Sequence, residues 1–112
     1  MTLNGLEELL KSITPNVFYV EAEKAQPPYI VYDDYRLNQM HADNKPLTGA
    51  WRVQVDYYTK NRNDNNGDNI ANLLRDSEIP YRRSKTYDPD VKWVRHIYDC
   101  ELVTNGTEDG QV

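Results

Sequence analysis

The chain has 112 residues, with 13 Lys and Arg against 18 Asp and Glu, for a formal net charge of −5. Leu, Ile, Val and Phe together supply 24 residues, about 21%, close to the roughly 20% floor below which highly charged chains stay disordered; nine Tyr and two Trp add the missing apolar area. This predicts one domain over residues 1–103 with a thin core and a disordered polar tail at 104–112, and it excludes a large catalytic cavity.

Other classes fall away on the same grounds. The longest apolar run, Tyr29 to Tyr32, is far short of the ~20 residues that span a bilayer. The segment Met1 to Glu8 is acidic and has no basic n-region, so no signal peptide is expected and a cytosolic protein is. A single cysteine, Cys100, excludes an internal disulfide framework and a multi-cysteine zinc site. The acidic balance argues against nucleic acid as the main partner, because neutralising phosphates needs clustered Lys and Arg.

In chain order, Leu3, Leu6, Leu9, Leu10 and Ile13 recur at helical spacing, with Glu7, Glu8 and Lys11 on the wet side. Thr2 or Asn4 can cap this helix and Thr14-Pro15 ends it. A short extended stretch follows at Val17 to Glu21. After the stiff Gln26-Pro27-Pro28 turn, Tyr29 to Tyr35 has the composition of a strand. Residues 37–49 lose all periodicity and read as a wide excursion. Trp51 to Tyr58 is the clearest strand, its odd positions apolar and Arg52, Gln54 and Asp56 on its even ones.

A polar linker over 60–69 leads to a second helix carrying Ile70, Leu73 and Leu74, with Asp68 as its expected cap and Pro80 beyond its end. Tyr81 to Tyr87 reads as a polar edge strand with Tyr81, Arg83, Lys85 and Tyr87 on one side. The last strand, Val91 to Val103, puts Val94, His96, Tyr98, Cys100 and Leu102 on one face. Its other face carries Trp93, Arg95, Ile97, Asp99 and Glu101. Helix, strands, helix, strands predicts an α+β domain: an antiparallel sheet of about four to five strands with both helices packed on one face.

No constellation spells catalysis. Placing Gly67 at the sixth position of a calcium loop puts Arg62 first and Leu73 last, where an acid and a bidentate Glu are needed. The linker therefore reads as solvated. His96 and Cys100 share a strand face but stand four residues apart, roughly 13 Å, too far to grip one ion. Asp33 and Asp34, with His41 and Asp43 near them in sequence, point to opposite faces as strand neighbours and cannot act jointly on one substrate. No enzyme, metal site or cofactor is predicted. The basic run Arg82-Arg83-Ser84-Lys85 between Tyr81 and Tyr87 has the interleaving of a single-strand nucleic-acid binder, but a solvated or partner-facing edge fits the acidic chain better.

What does stand out is the second face of the sheet. Tyr, Trp and Arg anchor protein contacts, and here they alternate with acids on two strands. Arg52, Tyr58, Trp93, Arg95 and Ile97, with Arg83 from the edge strand and Asp43, Asn44 and Lys45 from the excursion, form the candidate assembly interface.

Several segments together carry a family resemblance: the helix ending in Thr14-Pro15 before Val17-Phe18-Tyr19, then Pro27-Pro28-Tyr29-Ile30-Val31-Tyr32, then the excursion with Ala42-Asp43-Asn44. Val53 to Thr59 and Tyr87-Asp88 before the final strand continue the series. In order and spacing, over residues 3–103, the chain resembles the tail-completion or tail-terminator proteins of long-tailed bacteriophages and prophages. It departs from them in the short polar Tyr81 to Thr86 segment.

The resemblance implies an α+β fold and a homohexameric ring at the head-proximal end of the tail tube. Such a ring halts addition of tube protein and docks the head-tail connector or stopper, while DNA passes through without specific binding. It implies a virion protein of the head-tail junction, assembled in the host cytoplasm, with no cofactor and no membrane. The aromatic face and the 37–49 excursion would be the two unlike patches that a ring requires. Two alternatives stand beside it: a neighbouring connector or neck protein, and a small acidic inhibitor that binds one basic partner as a monomer.

Overall fold

The computed structural model describes residues 3–22, 24–36 and 48–105, in which two helices and a five-stranded sheet make an α+β fold. The elements are α1 (Leu3–Lys11), β1 (Val17–Tyr19), β2 (Tyr29–Arg36), β3 (Thr48–Thr59), α2 (Asn66–Asp76), β4 (Tyr81–Asp88) and β5 (Trp93–Asn105). Spatially the strands run β1-β2-β3-β5-β4. All neighbours are antiparallel except β1 and β2, which are parallel.

The sheet is mostly antiparallel, as expected; the one parallel pair makes it mixed. Only Val17, Phe18 and Tyr19 pair, opposite Ile30, Val31 and Tyr32. No hairpin sets their direction: in the connection between them Val20 and Lys24 lie in the left-handed region.

The alternation in β3 and β5 is the backbone of the core. Val53, Val55 and Tyr57 on β3 and Tyr98, Cys100 and Leu102 on β5 share one buried face with Ile30 and Tyr32 of β2. Leu6 and Leu10 from α1 and Ile70, Ala71 and Leu74 from α2 close over that same face. Both helices therefore lie on one side. At about 25 cal/mol per Å² of apolar surface, each such aliphatic side chain contributes roughly 1.5–3 kcal/mol of burial.

Three local details differ from expectation. Asn4 lies inside α1 rather than capping it. Asp68 lies in the first turn of α2, whose N-cap is Asn65. The helix starts early because Asp64 folds back: its carboxylate accepts from the Tyr57 hydroxyl at 2.5 Å, the Thr59 hydroxyl at 2.9 Å and the Asn66 amide at 2.7 Å. Finally, β5 continues through Asn105, so Thr104 and Asn105 are strand rather than tail. Residues 106–112 lie outside the described residues, as do 37–47, including Asp43, Asn44 and Lys45. Among the described residues, no helix is long and apolar enough to cross a membrane.

Candidate assembly surface

The face of the sheet opposite the helices has no helix or strand packed over it among the described residues. Its side chains fall into rows fixed by strand register. Tyr29, Tyr58, Arg95 and Thr86 form one row across β2, β3, β5 and β4, and Phe18, Val31, Asp56, Ile97 and Ser84 form the next. Asp33, Gln54, Asp99 and Arg82 follow. Period-two alternation makes this unavoidable once Val53, Val55 and Tyr57 face the helices.

At one end the rings join into a cluster. Tyr29 and Tyr58 stack with centroids 4.7 Å apart and planes 22° from parallel. Trp93 meets both edge-on at 6.3 Å, and Phe18 meets Tyr29 edge-on at 6.2 Å. The Arg95 guanidinium sits 5.7 Å from the Tyr58 ring centroid, within cation–π range. Trp93, Tyr58 and Phe18 are each half-buried, while Tyr29 is buried. The result is a preformed aromatic platform that still offers ring surface to solvent. Edge-to-face and offset stacking each add about 0.5–1.5 kcal/mol beyond area, so the platform is held in place before any partner arrives.

Next to it lies a polar network. Arg95 donates to Asp56 at 2.7 Å, and the Gln54 amide donates to both Asp56 oxygens at 3.1 and 3.2 Å. Arg52 approaches Asp99 at 3.5 Å across β3 and β5. Burial works against the Arg95 charge, but the hydrogen bond and charge of Asp56 outweigh it and hold the guanidinium more firmly protonated than usual. Burial raises the Tyr29 and Tyr58 hydroxyls above the ordinary tyrosine range, so both are neutral donors.

Of the residues singled out from the sequence, Arg52, Tyr58, Trp93, Arg95 and Ile97 thus share this one face. Arg83 does not. It stands opposite Tyr98 in the β4–β5 register and so points to the helix side, where it donates to Asp68 at 2.9 Å and lies over the Tyr98 ring at 5.5 Å. Alternation within β4 made this side legible, since Arg83 falls in phase with Tyr81 and Tyr87.

The helix side holds a second cluster, a structural one. The Tyr98 hydroxyl donates to the Gly67 carbonyl, and Tyr57 stacks on His96 at 5.9 Å. Cys100 is buried with its thiol pushed up to about 12 by desolvation and then by Asp99, which leaves it without nucleophilic character at neutral pH. Among the described residues no three His, Cys, Asp or Glu side chains converge as metal ligands.

No protein-family model matches the chain. A comparison with curated proteins gives no significant match either. Any functional reading therefore stands on the residues and their placement.

Proposed function

We propose that this protein is a structural component of a phage tail: a ring at the head-proximal end of the tail tube that ends tube polymerisation and joins the tail to the head connector. The observation that carries the reading is the half-buried aromatic platform of Phe18, Tyr29, Tyr58 and Trp93 on the open sheet face, flanked by Arg95. Aromatic and Arg anchors set in a rigid sheet are the composition of interface hot spots. Preorganised rings lose little rotamer entropy on docking, which favours a permanent structural contact.

The rest of the chain fits a passive role. The crevice bordering the platform, lined by Tyr58, Asp88, Val91 and Trp93 among others, is small, about 190 Å³. A terminator needs a surface that covers the last tube subunit and leaves none equivalent exposed; it needs no reacting group. The net charge of −5 repels DNA rather than holding it, as a conduit requires. In this reading the platform is buried against neighbouring subunits in the assembled tail, and the particle resides in the virion.

Mass photometry over a concentration series, with negative-stain imaging of the most concentrated sample, tests the reading. Closed rings, six-fold by expectation, support it. A strict monomer that leaves tube length unchanged when added to polymerising tube protein overturns it, and a monomer that captures a basic protein one-to-one replaces it with an inhibitor.

A further inference from the structure

The two edges of the sheet differ in a way that the ring reading does not by itself require. Among the described residues, the large apolar side chains left exposed are Tyr19, Val20, Tyr81, Tyr87 and Val91. All five lie at an edge: Tyr19 and Val20 at the end of β1, Tyr81 and Tyr87 in β4, and Val91 in the turn after it. Every residue of β4 is exposed, and among the described residues its outer side has no strand neighbour. At the opposite edge β1 covers only Ile30, Val31 and Tyr32, so among the described residues Asp33–Arg36 of β2 also has no strand neighbour on that side.

The charges are opposite. The β4 edge carries Arg82, Arg83 and Lys85, with Asp88 at its end; of these, Arg83 is already paired with Asp68. The β1–β2 edge carries Glu21, Asp33 and Asp34 against Lys24 in the connecting turn and Arg36 at the end of β2; of these, Asp34 already accepts from the Tyr19 hydroxyl. Two β4 edges would bring like charges face to face, which disfavours a two-fold dimer through that strand. A β4 edge against a β1 edge matches charge and apolar side chains at once.

We propose that copies of this chain join head to tail through these unlike edges, the basic β4 edge of one copy adding to the acidic β1–β2 edge of the next. Such a contact is heterologous and closes into a ring when the rotation permits. Main-chain pairing supplies part of the affinity, as in other strand additions, and the charges fix which edge meets which. This inference rests on the ring reading and refines it. The ring contact falls on the edges, and the aromatic platform is left free for neighbours along the tail axis.

Reversing charge on one edge at a time tests it. Arg82→Glu with Lys85→Glu makes both edges of a copy acidic; Glu21→Lys with Asp33→Lys makes both basic. All four side chains are exposed, so each variant is expected to keep the wild-type unfolding transition. Each variant alone should need roughly tenfold or more higher concentration to associate. Mixed in equal amounts, the two variants should co-assemble near the wild-type concentration, because every junction in an alternating ring again joins opposite charges. Wild-type rings that both variants also form unaided overturn the edge contact and leave the ring reading standing. Rings lost in both variants and not restored by mixing overturn it too. A wild type that stays monomeric alone and when added to polymerising tube protein, with tube length unchanged, overturns both.

Discussion

Arg95 reaches diagonally across the β3–β5 ladder to the carboxylate of Asp56, at 2.7 Å, although its directly paired neighbour is Tyr58. Asp56 is 7% exposed, the one buried carboxylate on the open face among the described residues. Its partners, Arg95 and Gln54, hold its oxygens on an otherwise aromatic surface. Removing the acid leaves a half-buried guanidinium without its counter-ion, and the loss of one charge-assisted hydrogen bond sets the scale. Asp56→Ala is expected to lower stability by about 2 kcal/mol, and Asp56→Asn by less, since its amide oxygen still accepts from Arg95. Urea unfolding of the dilute protein measures both; no loss in either variant would show that Arg95 draws nothing from Asp56.

Gly67 is buried in the first turn of α2, beneath the imidazole of His96. A Cβ there would stand 2.9 Å from His96 Cε1 and 3.0 Å from its Nδ1. Two effects oppose. Alanine is better than glycine in a helix by about 1 kcal/mol, whereas forcing a methyl into a packed site costs about 1–3 kcal/mol. The imidazole is buried and stacked on Tyr57, so moving aside would cost it that contact, and the clash wins. Gly67→Ala is expected to destabilise by up to about 2 kcal/mol, and His96→Ala in the same chain to remove that penalty. Additive effects of the two changes would show that the ring and the glycine do not touch.

His96 also carries a pH dependence. Burial, then the nearby Arg83 and Lys85, lowers its pKa below the ordinary 6.5, with Asp64 and Asp68 only partly offsetting them. The native state therefore favours the neutral ring, and the unfolded chain binds the extra proton first. Its stabilising contribution is complete above pH 6.5 and is lost as pH falls from there towards the lowered folded value. Glu7, held down by its Tyr32 hydrogen bond and by Lys11, titrates in a separate window below its ordinary 4.5. Urea midpoints should fall between pH 7 and pH 5 in the wild type and stay flat over that interval in His96→Gln. A wild-type profile flat across the same interval would mean that the ring is protonated as easily folded as unfolded.

The faces of β3 and β5 were legible in the sequence because their alternation is strict over many residues: Val53, Val55 and Tyr57, then Val94, His96, Tyr98, Cys100 and Leu102, all turned inward. From that single fact the placing of Arg52, Tyr58, Trp93, Arg95 and Ile97 on one open face followed. What was not legible depended on contacts between distant segments. Three residues of β1 carry too little pattern to reveal a parallel partner. Asp64 looked like solvated linker because nothing local says that Tyr57 and Thr59 will donate to it. Glu7 was assigned to water, yet it accepts from the Tyr32 hydroxyl, twenty-five residues away along the chain. Polar residues spent on tertiary hydrogen bonds carry no periodic signature.

Trp93 separates folding from assembly. It packs edge-on against Tyr29 and Tyr58, so Trp93→Ala removes two ring contacts and leaves the inner face of β5 untouched. The cost to the dilute monomer should be about 1–2 kcal/mol, from two aromatic pairs and partial burial. As an anchor at the centre of a docking face its loss should cost a further 2 kcal/mol or so in binding, about thirtyfold in affinity. Urea unfolding at low concentration reads the first quantity. The concentration at which the protein halts polymerising tube protein, read from tube length, gives the second. Unchanged tube termination would remove the platform from the interface, and a monomer that no longer unfolds cooperatively would make Trp93 part of the core.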